Sequence, residues 1–364
     1  MMKIPYVFKA LAVVFCLIAV YACERDDKEP NLDTKKFSRL YVSFEEFGTS
    51  NVGVPDTNVR IIFPADSSEF KYSLGFVSGA KGGGPIYFHP FLKMLYQASV
   101  ISGGVSDTSI YGMTVGDRTG LLSNAARLGN RQYNLIKGLF YHSASETLIA
   151  VNASGADAGV YLNYRPRNNG YARPIKKLKN SSLTMWGAAF GGSNLFTSKT
   201  GDDAGIYVFE KILATAVGPD SVGRLNPTRI LSIADAQNLR GMSYDTVRNV
   251  LAITDFVTNG AEGTGRILIF EKFSDLIKQE AIIPTRVITG PATLLKEPVD
   301  VAIDPRSTAD NIYVADRSGK VLRFKLSDSG NVIPNKVVEI ERNKRKLIPA
   351  GLSLDARDFS TLGQ

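Results

Sequence analysis

The chain has 364 residues, 44% of them hydrophobic and 21% charged, which excludes wholesale disorder and supplies a sizeable core. Its formal charge is +8, two units of which come from Lys3 and Lys9; an excess this dispersed is not the clustered basic face that a nucleic-acid partner requires. The two cysteines, Cys16 and Cys23, both precede the main body, so no disulfide or thiolate metal site is available there.

Lys3 and Lys9 bracket a charged segment that precedes an apolar run over residues 10–20. Eleven helical residues span about 16 Å, well short of a bilayer core of about 30 Å, so the run is predicted to be a signal segment and not an anchor helix. The four residues Val20-Tyr21-Ala22-Cys23, which start at the last residue of the run, resemble the lipobox of bacterial lipoproteins. That resemblance implies a signal peptide over residues 1–22, cleavage before Cys23 and acylation of the cysteine. Residues 23–36 are polar and contain Pro30, so they are expected to form an extended tether. Acidic residues just after the cysteine also resemble the export signal of Bacteroidota surface lipoproteins. This implies a lipid-anchored protein of the outer membrane facing the cell surface, with a periplasm-facing position as the alternative.

The rest of the chain, 37–364, is organised by a repeat. Short inner-strand phrases recur at 85–89, 138–142, 187–191, 241–245, 300–304 and 351–355, with starts separated by 53, 49, 54, 59 and 51 residues. A period of about fifty residues marks a propeller or related array. After each inner phrase come a second apolar phrase, a third, and a more polar fourth, as expected for a radial blade whose first strands are buried on both faces and whose outer strand meets water. Residues 40–44 read as a second strand lacking an inner strand, whereas 351–355 read as an inner strand with only nine residues after it. Each end holds what the other lacks. The prediction is an all-β, six-bladed β-propeller whose ring is closed by one blade shared between the two terminal segments.

The segment Val299-Asp-Val-Ala-Ile-Asp304 followed by Asn311-Ile-Tyr-Val-Ala-Asp-Arg-Ser-Gly-Lys-Val-Leu-Arg-Phe324 resembles an NHL-type repeat of six-bladed, TolB-like propellers. That family includes binders and enzymes, so the fold implied does not by itself assign a reaction.

Three sets of side chains are candidates for function. Lys137, Trp186 and Arg240 precede the inner strands of three consecutive blades, where the lone tryptophan can stack on a sugar or aromatic ring while the two cations fix an anionic group. Lys199, at the end of a second strand, is expected to join them at the same mouth. Asn152, Asp255 and Asp316 sit at equivalent second-strand ends and are oxygen donors of the type Ca²⁺ accepts. Resemblance to gluconolactonase-like propellers implies a metal-dependent lactonase there, although Lys199 opposes a cation. His89 and His142 stand where other repeats have Asp245, Asp304 and Asp355, at the turn leaving the inner strand, and read as turn-bonding residues. The basic runs at 176–179 and 342–346 read as solvated surface, the first on an outermost strand where lysines block edge pairing.

From the sequence, the expected function is a binding module for a glycan fragment or a partner protein, without a required cofactor. A lactonase-like hydrolase and a structural accessory subunit of an outer-membrane complex are the alternatives.

Overall fold

The computed structural model describes residues 37–45, 57–100, 107–117, 119–153, 155–167, 169–201, 203–259, 262–342, 345–358 and 361. Phe37–Gln364 is one compact unit; the expected signal peptide, Cys23 and the tether lie outside the described residues.

Strands Phe37–Phe44, Val59–Ile62 and Tyr72–Phe76 form the outer part of blade 1, and its inner strand is Pro349–Arg357 from the other end of the chain. The pairing is antiparallel, with Leu40 opposite Leu354 and Val42 opposite Leu352. The ring is therefore closed as the complementary ends predict. Blades 2 to 6 begin with inner strands Gly83–His89, Ile136–His142, Met185–Gly191, Met242–Asp245 and Pro298–Ile303, each followed by antiparallel second, third and fourth strands.

The near-continuous apolar runs are explained by what each strand faces. Successive side chains of a strand point to opposite sides of its sheet, and here both sides are packed by neighbouring blades. Leu40, Val42 and Phe44 join Tyr313, Ala315 and Val321 of blade 6, while the intervening Tyr41 joins Phe88 and Leu95 of blade 2. All six blade-to-blade interfaces contain such a cluster, so the core is a set of radial wedges. Full burial of each large apolar side chain contributes about 1.5–3 kcal/mol.

A second device joins the blades and is not visible as hydrophobic periodicity. The connection between third and fourth strands reaches back to the preceding blade and, in three cases, adds a short parallel fifth strand. Asn169–Tyr171 pairs with Leu122–Gly129 of blade 2, Val222–Arg224 with Lys176–Lys179 of blade 3, and Ala281–Ile282 with Arg229–Ile233 of blade 4. Gly330 makes the corresponding bridge to Ile288 of blade 5. The connection 63–71 of blade 1 supplies the carbonyls of Ala65 and Ser67 to Arg323 of blade 6, at 2.7 and 3.0 Å. This corrects the reading of the lysine-rich strand at 176–179: it is not the edge. Lys176 donates to the Leu213 and Thr215 carbonyls, and Lys179 pairs with Asp157 at 2.7 Å.

Candidate functional site

The inner strands converge on the axis, and their starts form a collar that leaves no room for a Cβ at its glycines. A Cβ on Gly138 would lie 2.4 Å from the carbonyl oxygen of Gly187, and one on Gly351 would lie 2.9 Å from that of Gly84. Gly187 has φ +64°, in the left-handed region that glycine tolerates best. In blade 6 the same position holds Asp300. Its Oδ2 accepts the backbone N–H of Leu352 at 2.8 Å, and its Oδ1 accepts that of Val301 at 2.9 Å. The carboxylate thus ties blade 6 to the closing strand, and burial pushes its pKa up to about 7 against those two bonds.

One residue before the collar, Lys137, Trp186 and Arg240 are brought together. Lys137 Nζ lies 4.4 Å from the centre of the indole and Arg240 Cζ 4.7 Å from it. They come from the blades on either side of Trp186, so the indole is flanked by the protein's own cations. Arg240 also lies 4.3 Å from the Phe256 ring, and its Nη1 is 2.9 Å from Glu297. Glu297 in turn is 3.3 Å from Arg317, which pairs with Glu45 of blade 1. Charge and counter-charge alternate around the mouth until Lys137, for which no carboxylate partner stands within ion-pair distance among the described residues. Burial pulls Lys137 down to about 8; Glu45 opposes the shift, and Arg240 and Arg317 add to it. Burial also lowers the pKa of Arg240.

This geometry changes the stacking expectation. A ligand ring that stacks where either cation sits must displace that cation. Arg240 is held by Glu297 and Phe256, so Lys137 is the one able to move. Lys199 does not join the group: its Nζ donates to the Asp203 carbonyl within its own hairpin at 2.7 Å.

The oxygen ring expected from Asn152, Asp255 and Asp316 does not form, because each group is bonded within its own blade. Asn152 Oδ1 accepts from Leu135 N at 2.8 Å, and its Nδ2 donates to Asn134 and Asp157. Asp255 Oδ1 accepts from Gln237 N and Asn238 N, while Oδ2 is paired with Arg266. Asp316 accepts from the amides of Lys296, Glu297 and Ser318. These side chains cap the segment entering each inner strand. No group of three or more His, Cys, Asp or Glu residues able to hold a metal occurs among the described residues.

The histidines lie at the other end of the inner strands. His89 Nδ1 accepts from Leu92 N at 3.1 Å and its Nε2 contacts Ser143 Oγ at 2.8 Å; His142 Nδ1 accepts from Ser145 N at 3.2 Å. Asp245 uses the same arrangement toward the amides of Val247 and Arg248.

Inside the ring the channel has two unequal parts. A vestibule of about 330 Å³ is lined by inner strands of all six blades, and a neck cavity of about 20 Å³, enough for about one water, adjoins Trp186 at the mouth. Lys137, Asp300 and Pro85 line both. Sequence reasoning missed Asp300, although an acid at a position otherwise held by glycine or proline was the available signal. Glu45, Glu297 and Arg317 flank strands and Phe256 lies within Val250–Asn259, none with a periodic mark.

No protein-family model and no curated protein matches this sequence. Among solved structures, the chain is similar to one in the nidogen/laminin complex, with 17% identity, a TM-score of 0.53, and coverage of 87% of this chain and 98% of that one. It is also similar to a "putative 6-phosphogluconolactonase" from Bacteroides uniformis, with 10% identity, a TM-score of 0.48, and coverage of 85% of both chains. The first likeness supports the six-bladed β-propeller fold.

Proposed function

We propose that this propeller is a lipid-anchored binding module of the outer membrane, held through Cys23 on the cell surface, whose channel mouth takes a glycan fragment bearing an acidic group. The observation that carries the reading is the Lys137–Trp186–Arg240 stack, in which Lys137 has no ion-pair partner among the described residues. An acidic sugar offers a carboxylate to that ammonium and an apolar ring face to the indole that the ammonium uncovers. The anchor rests on the order of charged, apolar and lipobox-like segments before Cys23.

Trp186 is the only tryptophan, so tryptophan emission, excited at wavelengths beyond tyrosine absorption, reports this mouth alone. Titration with uronic-acid oligosaccharides should shift the emission, whereas neutral oligosaccharides should bind roughly tenfold more weakly or worse, as charge-assisted contacts require. By calorimetry, Trp186→Ala and Lys137→Met should each weaken the acidic fragment. Unchanged affinity in both variants would place the ligand elsewhere. Capture of a partner protein through the same two residues, with no response to any glycan, would assign the mouth to protein recognition. Metabolic labelling with palmitate should be lost in Cys23→Ser.

A further inference from the structure

Lys137 and Asp300 face the channel neck from blades 3 and 6, and among the described residues no ion pair joins them. Asp300 is fixed in place by the amides of Leu352 and Val301. A carboxylate accepts more than one hydrogen bond per oxygen, so its position is set while acceptor capacity remains. Beyond the neck, Tyr87, Phe140 and Phe190 from three consecutive blades form a row of rings, with centroids 5.2 and 5.6 Å apart. Phe140 follows Lys137 by three residues on one strand, which places their backbones roughly 10 Å apart along the channel. The vestibule of about 330 Å³ falls within the range of small-molecule sites.

A ligand carrying only a negative charge would satisfy Lys137 and be repelled by ionised Asp300. One carrying only a positive charge would meet the reverse. A head group with both signs satisfies both walls, and a flat apolar side chain then lies along the row of rings. We propose that the vestibule binds a free aromatic α-amino acid, with its carboxylate on Lys137, its ammonium on Asp300 and its ring against Tyr87, Phe140 and Phe190. Entry is from the face bearing the turns that leave the inner strands, where Pro90 and Pro305 line the cavity. This inference shares Lys137 with the acidic-glycan reading, since that lysine lines both neck and vestibule, and differs from it at Trp186, which lines the neck alone.

The test is calorimetry on the intact propeller with L-phenylalanine and L-tyrosine, compared with phenethylamine and 3-phenylpropionate, which keep one charge each. Saturable binding of the amino acids is expected, roughly tenfold or more tighter than either fragment, with a similar loss in Asp300→Asn and in Lys137→Met. Trp186→Ala should retain the amino-acid site while losing the mouth ligand, which separates the two proposals. If Asp300→Asn does not fold, Lys137→Met and the ligand series decide the matter. Absence of saturable binding by either amino acid, or fragments that bind as tightly as the zwitterions, would overturn the proposal.

Discussion

Lys137 Nζ stands 4.4 Å from the centre of the Trp186 indole, which it shares with Arg240, an arginine held by Glu297. The lysine is the one charged member of the mouth network whose partner is an aromatic face alone, among the described residues. Its ionisation is therefore readable in the fluorescence of the chain's single tryptophan. The folded-state value near 8 lies below the ordinary 10.5, because burial penalises the ammonium. Emission should step with a midpoint near pH 8, and the step should vanish in Lys137→Met. The other charged groups around it are Glu45, Arg240, Glu297, Arg317 and, across the neck, Asp300, whose own value near 7 makes Lys137→Met the control that assigns the step. The unfolded chain holds the extra proton between about pH 8 and 10.5, so this lysine's contribution to stability rises with pH across that window.

The glycine collar predicts a contrast between two single-methyl additions. Gly138→Ala places a Cβ 2.4 Å from a backbone oxygen of the next blade, and overpacking of this kind costs about 1–3 kcal/mol. At Gly129 the nearest atom is 3.6 Å away, so Gly129→Ala should stay within about 0.5 kcal/mol of the parent. Urea unfolding of the two variants checks the difference.

Arg306 is buried against Asp304, with bonds of 2.9 and 2.6 Å, and also reaches Asp66 of blade 1 at 2.8 Å. Arg306→Met leaves the fully buried Asp304 carboxylate without its cation and should cost about 3–5 kcal/mol. The double variant Arg306→Met/Asp304→Leu should recover part of that loss, since removing both charges also removes the desolvation penalty. Thermal melts of the single and double variants test this.

Deleting residues 349–364 removes the inner strand of blade 1 and the Leu352 amide that holds Asp300. The second strand Phe37–Phe44 would then be an apolar exposed edge, so the truncated protein should aggregate or melt far below the parent. Light scattering during a thermal ramp measures it, and an unchanged midpoint would count against ring closure as a stabilising feature.

The architecture was legible because a blade buries both faces of its inner strands. The resulting apolar phrases recur at nearly constant spacing, and the unmatched phrases at 40–44 and 351–355 disclose the shared blade. Alignment of the repeats also put Lys137, Trp186 and Arg240 in one register. The short parallel strands escaped notice because two or three residues such as Asn169–Tyr171 are set by the backbone they pair with and not by their own pattern. Asn152, Asp255 and Asp316 were ambiguous for another reason. A carboxylate or carboxamide serves a cation or a set of amides equally well, and only the direction of nearby N–H groups decides between them.

The backward reach of each third-to-fourth connection gives the ring a sense of direction during synthesis. The rims of blades 2 to 5 wait for residues translated after them, whereas the rim of the last blade is completed by residues 63–71, translated long before it. That early segment must remain without its partner until Arg323 emerges. The final overlap and the terminal strand exchange are thus late events at a single seam, where the newest and oldest parts of the molecule meet.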